Sequence, residues 1–163
     1  MIHFLILGPT GVGKTRLGMH WAAVRHLRFV DLDQELAAVY QAPQLANALI
    51  QWGLPLFYQR SLTLLQRLEA STESLLIAVG AGTQAAAQGK LDLLAWPHLF
   101  LSAQADWLWQ VNRSYRQDPR SFADFCATEF HLWRQQMQTQ SQLIVDVTGL
   151  STQDVLAQVL SLT

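Results

Sequence analysis

Gly8-Pro9-Thr10-Gly11-Val12-Gly13-Lys14-Thr15 decides how this chain folds. The octet fills every fixed position of G-x-x-x-x-G-K-[ST], the P-loop pattern of a backbone segment that cradles phosphate. Gly8, Gly11 and Gly13 let the chain curl until successive N–H groups point into one concavity, which binds an anion. Lys14 adds a cation for the outer phosphates, and Thr15 offers a hydroxyl to a magnesium ion. A helix starting at this point aims its positive end at the same place. The flanks agree: Ile2–Leu7 is an apolar run of strand length, and Arg16–Val24 reads as a helix. Strand, glycine loop and helix come in the order the motif needs. The nucleotide-contacting set expected from this stretch is Gly8, Gly11, Val12, Gly13, Lys14, Thr15 and Arg16.

The whole chain suits one such domain. Its 163 residues are enough for one real core. Half are hydrophobic and 14% are charged, which excludes a disordered chain. The net charge of −1 gives no basic excess for nucleic acid or an anionic membrane surface, so neither partner is expected. Cys126 is the only cysteine, so no disulfide framework forms. The five histidines are scattered without ligand spacing and suggest no metal site. No apolar run is long enough for a bilayer span, and Ile2–Leu7 leads into the P-loop rather than a cleavage site. A cytoplasmic protein is expected.

Outward from the P-loop, strands and helices alternate. Arg28–Val30 is a brief strand closed by Asp31-Leu32-Asp33, and Gln34–Tyr40 has helical spacing. Pro43 opens a short helix through Trp52, Gly53 and Pro55 punctuate, and residues 56–69 form an amphipathic helix. Ser74–Val79 is a buried strand running into Gly80-Ala81-Gly82, where backbone can approach a ligand closely. Thr83–Leu94 reads as a helix broken near Gly89, His98–Leu101 as a strand, and Ala105–Tyr115 as a helix ended by Gln117-Asp118-Pro119. Ser121–Gln138 reads as one long helix, Leu143–Val147 as the last strand, and Ser151–Leu160 as the last helix, with Ser151 and Asp154 spaced to cap it. The alternation predicts a parallel sheet with helices on both faces, and five strands with a P-loop after the first make an α/β P-loop NTPase sandwich, for which the strand order 2-3-1-4-5 is expected.

Several of these stretches together resemble the shikimate kinase family, a small nucleoside-monophosphate-kinase-like branch of the P-loop proteins. They are Gly8–Thr15, Phe29–Leu36 with its Asp31-Leu32-Asp33-Gln34-Glu35 run, Phe57–Arg60, Gly80-Ala81-Gly82, and Arg113-Ser114 followed by Asp118-Pro119-Arg120. The resemblance implies ATP and magnesium as cofactors and a small-molecule hydroxyl as phosphoryl acceptor. It implies that Lys14 stabilises the transferring phosphoryl and that Thr15 and Asp31 serve the metal. Asp33 would hold the acceptor hydroxyl and take its proton, and Arg113 would stack on adenine. Gly80, Ala81 and Gly82, with Arg60 nearby, would line the acceptor site.

Departures from the family pattern cluster by role. The arginine expected after Phe57 to grip a substrate carboxylate is Tyr58, and Arg60 lies about 200° around a helix from it. A second carboxylate-binding arginine falls on Glu129 or Phe130. Ala81 replaces a glycine, Ala78 replaces a serine near the metal's water, and only Gln117 separates Arg116 from Asp118 where the family carries a longer lid. The expected activity is therefore phosphoryl transfer with weak or no action on shikimate. The alternative is a degenerate kinase that binds a protein partner in a nucleotide-dependent way.

Overall fold

The computed structural model describes residues 3–88 and 96–163. Five strands form one parallel sheet: β1 (His3–Leu7), β2 (Arg28–Asp31), β3 (Leu75–Ala78), β4 (His98–Ser102) and β5 (Leu143–Asp146). Their order is β2-β3-β1-β4-β5, the order expected for the P-loop core. Among the described residues the helices are α1 (Lys14–Arg25), α2 (Leu32–Val39), α3 (Leu45–Glu69), α4 (Ala81–Ala87), α5 (Ala105–Arg116), α6 (Phe122–Glu129), α7 (Leu132–Gln140) and α8 (Thr152–Leu162). None is long and apolar enough to cross a membrane.

The central strands are apolar at nearly every position because both faces are covered. Alternate residues serve opposite layers. Leu5, Leu7, Val30 and Ile77 pack with Leu36 of α2 and Phe57, Leu64 and Leu65 of α3. Ile6, Leu76 and Leu99 pack on the other side with Leu17 and Trp21 of α1 and Val155 and Val159 of α8. This three-layer arrangement brings the carboxyl ends of β1, β2 and β3 together, where an open parallel sheet places its ligand crevice.

Three boundaries differ from the sequence expectation. The two helices expected around Gly53 are joined in α3, bent where Gly53 leaves helical geometry at φ 70°, ψ 163°. The single helix expected over residues 121–138 is two, because Phe130 ends α6 outside helical geometry and packs on Phe125. Helix α4 starts at Ala81, so Gly80-Ala81-Gly82 is a helix start rather than an open loop. Beyond Gln88 the helix expected to reach Leu94, with its break at Gly89, lies outside the described residues, as does Ile2 of the first strand. At the last helix, Ser151 and Asp154 make the expected capping box.

Candidate functional site

The loop between β1 and α1 is held open by backbone that only glycine adopts easily: Gly8, Gly11 and Gly13 all have positive φ. It forms the floor of a cleft of about 760 Å³ lined by residues 10–17 of the loop and α1, by Asp31 and Asp33, by Ala78–Ala81, and by α5 and the β5–α8 turn. The Lys14 ammonium curls back to donate to the carbonyl oxygens of Gly8 at 2.9 Å and Pro9 at 2.8 Å. Desolvation, with Arg134 nearby, lowers its pKa to about 8, against the pull of Glu129 and Asp33. Lys14 therefore remains mostly cationic at neutral pH.

Two carboxylates meet the loop from the end of β2. Asp31 caps α2, accepting from the backbone N–H groups of Asp33 and Gln34 at 3.1 and 3.3 Å. This leaves its other oxygen, Oδ2, to accept from the Thr15 hydroxyl at 2.7 Å. The hydroxyl and carboxylate that a magnesium ion needs are thus already side by side, and this hard oxygen pair suits it. Asp33 differs. Its Oδ1 is buried with no hydrogen-bond partner. Burial first, and the Asp31 charge second, push its pKa up to about 6, while Lys14 pulls it down. The carboxylate lies so close to Gly80 that a Cβ there would come within 1.8 Å of Asp33 Oδ1. Glycine at position 80 is what lets Asp33 occupy this place.

Of the residues expected from the sequence, the cleft brings together Gly11, Val12, Gly13, Lys14, Thr15, Arg16, Asp31, Asp33, Gly80 and Ala81. Four others, Arg113, Arg60, Gly82 and Gly8, do not line it. The Arg113 guanidinium lies 5.0 Å from the centre of the Trp109 ring, and the wall of the cleft along α5 is made by Trp107, Val111, Tyr115 and Arg116 instead. Trp107, Val111 and Tyr115 recur at spacing four and share one face of α5, which looks into the cleft; Arg116 joins them from the last turn of the helix, and Arg113 lies off that face. Arg60 stacks on Trp52 at 3.9 Å and Tyr40 at 4.7 Å. Gly82 faces the Phe57 ring. Gly8 sits at the root of the loop. Tyr58, on α3 itself, is partly buried against the core cluster.

Sequence reasoning missed the side chains that shape the loop. Gln84, fully buried, accepts from Gly8 N–H at 3.3 Å and donates to the carbonyls of Gly8 at 3.0 Å and Val79 at 2.8 Å. Asn112, also fully buried, donates to the Thr10 carbonyl at 3.0 Å, and its amide fills the space where a Cβ on Gly11 would sit. Glu129 accepts from Thr10 N–H at 2.9 Å. The one local signal is the position of Gln84, four residues after Gly80 and so on the same side of α4.

The family model described as shikimate kinase matches residues 10–162. No curated protein sequence matches the chain. Among solved structures, the chain is similar to shikimate kinase from Bacteroides thetaiotaomicron, at 17% identity and TM-score 0.77, with 99% of this chain and 97% of that chain covered. It is similar to shikimate kinase from Acinetobacter baumannii in complex with shikimate, at 18% identity and TM-score 0.71, covering 99% and 92%. A gluconokinase from Sinorhizobium meliloti aligns at 14% identity and TM-score 0.59, covering 98% and 90%. At these identities the structural likeness speaks for the fold, and the sequence model speaks for the family.

Proposed function

The chain belongs to the shikimate kinase family, and from that premise we propose that it transfers the γ-phosphoryl group of ATP to a hydroxyl of a small molecule, with little or no action on shikimate. The observation that carries this is Asp33: a carboxylate with one buried, unpartnered oxygen, on a residue lining the cleft that holds Lys14 and the Thr15–Asp31 pair. With its pKa near 6 it is ionised at neutral pH yet basic enough to take a proton as charge develops. The acceptor oxygen attacks the γ-phosphorus, the bond to the β–γ bridging oxygen breaks, and the acceptor's proton goes to Asp33. Lys14 and the backbone N–H groups of the loop neutralise charge on the phosphates, which is most of what phosphoryl transfer requires. Thr15 and Asp31 would hold magnesium, which supplies further charge neutralisation when bound with nucleotide.

The acceptor end argues against shikimate. The basic side chains among the described lining residues are Lys14, Arg16 and Arg116. Arg16 belongs to α1 and Arg116 to the last turn of α5, and the Arg116 charge acts on Lys14. By the family resemblance, Tyr58 and either Glu129 or Phe130 take the positions of carboxylate-gripping arginines, and each such charged hydrogen bond contributes roughly 1.5–3 kcal/mol. Two losses weaken shikimate by about two to four decades. A coupled ADP-release assay tests this: shikimate should give no saturable turnover at submillimolar concentration, and turnover of several per second would refute the exclusion. The degenerate-kinase reading, with a protein partner in place of an acceptor, rests on Glu129, whose negative charge bonds the P-loop itself. Mg-ATP binding with no turnover against a panel of polyols and hydroxy acids would favour it.

A further inference from the structure

Thr10, at the crest of the P-loop, has both backbone groups gripped by side chains from outside the motif. Glu129 takes its N–H at 2.9 Å and Asn112 its carbonyl at 3.0 Å. Both holders are tied to the short segment after α5. Asp118 N–H donates to the Asn112 carbonyl at 3.3 Å. Arg120 donates to Glu129 Oε1 at 2.9 Å, and its guanidinium also grips both Asp118 oxygens. Glu129 is 3% exposed and bonds the buried Arg134 on its other oxygen. Burial alone would raise its pKa, but Arg134, the Thr10 N–H and Arg120 together keep its carboxyl below the ordinary range. A charge this buried persists only because every partner is in place.

We propose that Glu129 is a positioning residue that couples the 117–120 segment to the P-loop crest, so that Arg120 helps set nucleotide affinity without lining the cleft. This rests on the nucleotide-binding reading above. Glu129 fixes the Thr10 peptide only while Arg120 and Arg134 hold its carboxylate, so cutting the Arg120 contact loosens the loop from a distance. The coupling follows a contiguous chain of charged hydrogen bonds, which are the strong and directional kind.

The test is calorimetric binding of Mg-ADP to the full chain and to Glu129→Gln, Arg120→Gln and the double variant, with thermal unfolding alongside. Each single variant should weaken Mg-ADP about tenfold, and the double variant should be no weaker than the singles, because residues in one network are non-additive. Unchanged affinity with a lower melting temperature would reduce Glu129 to a structural role. Multiplying effects, or tighter binding by Glu129→Gln through loss of negative charge, would also overturn the proposal. If Glu129→Gln fails to fold, Arg120→Gln alone decides, since Arg120 is 27% exposed. Failure of the unaltered protein to bind Mg-ADP would instead sink the nucleotide reading, and this coupling with it.

Discussion

Replacing Asp33 by Asn should stabilise the protein at neutral pH while removing its chemistry. In the folded chain the Asp33 carboxyl keeps its proton up to a pH of about 6, against an ordinary value of 3.8. Between those values the folded state binds more protons than the unfolded state, so stability falls as pH rises through the window. At 1.36 kcal/mol per pKa unit the full cost is about 3 kcal/mol above pH 6, and it vanishes below about pH 4. Asparagine carries no charge and escapes this cost. Its amide is neutral and is desolvated much as the protonated carboxyl is, so the net gain at pH 8 is up to about 3 kcal/mol. Urea unfolding of both proteins at pH 4.5, 6 and 8 measures it. The two stability curves should converge near pH 4, separate between about pH 4 and 6, and stay apart above that, with the variant higher. Parallel curves, or a variant less stable at pH 8, would refute the claim that Asp33 is an under-solvated carboxylate. A group that weakens the fold and faces the cleft is what the stability–function trade-off predicts for a catalytic base.

Two further substitutions probe the frame around that carboxylate and the loop. Gly80→Ala places a methyl 1.8 Å from Asp33 Oδ1. It should cost about 1–3 kcal/mol in unfolding experiments and leave Mg-ADP affinity within about threefold, since the P-loop is untouched. Gln84→Ala leaves Gly8 N–H and two carbonyls without their buried partner. It should lower stability by about 2–4 kcal/mol and weaken Mg-ADP in the same preparation, measured by thermal unfolding and calorimetry.

The sheet was legible because its strands are buried on both faces and read as apolar runs, and because the strand–glycine–helix order fixes where β1 ends. Asp31 and Asp33 were legible because one ends β2 and the other lies in the first turn of α2, at the edge where a parallel sheet collects its ligands. Gln84, Asn112 and Glu129 were not. Each is a single polar residue in a helical stretch, which reads as solvent-facing. Their burial depends on loop contacts 76, 102 and 119 residues away in sequence. The split between α6 and α7 was hidden for a related reason: no proline or glycine marks it, and the break is made by Phe130 turning onto Phe125. Arg113 was misplaced as a cleft residue because helix phase decides its direction. Trp107, Val111 and Tyr115, at spacing four, carry the cleft-facing side, and Arg113 falls between Val111 and Tyr115 on another side.

The central claim is that residues 8–15 bind a magnesium nucleotide through Lys14. Thermal unfolding with and without millimolar Mg-ATP tests it directly, on the unaltered chain and on Lys14→Ala. A ligand present at about 100 times its dissociation constant adds about 2.7 kcal/mol to stability. The unaltered chain should show an upward shift of several degrees that Lys14→Ala loses, with both melting alike in the absence of nucleotide to within the change expected from the two lost carbonyl contacts. No shift in the unaltered protein, or an equal shift in Lys14→Ala, would contradict the account.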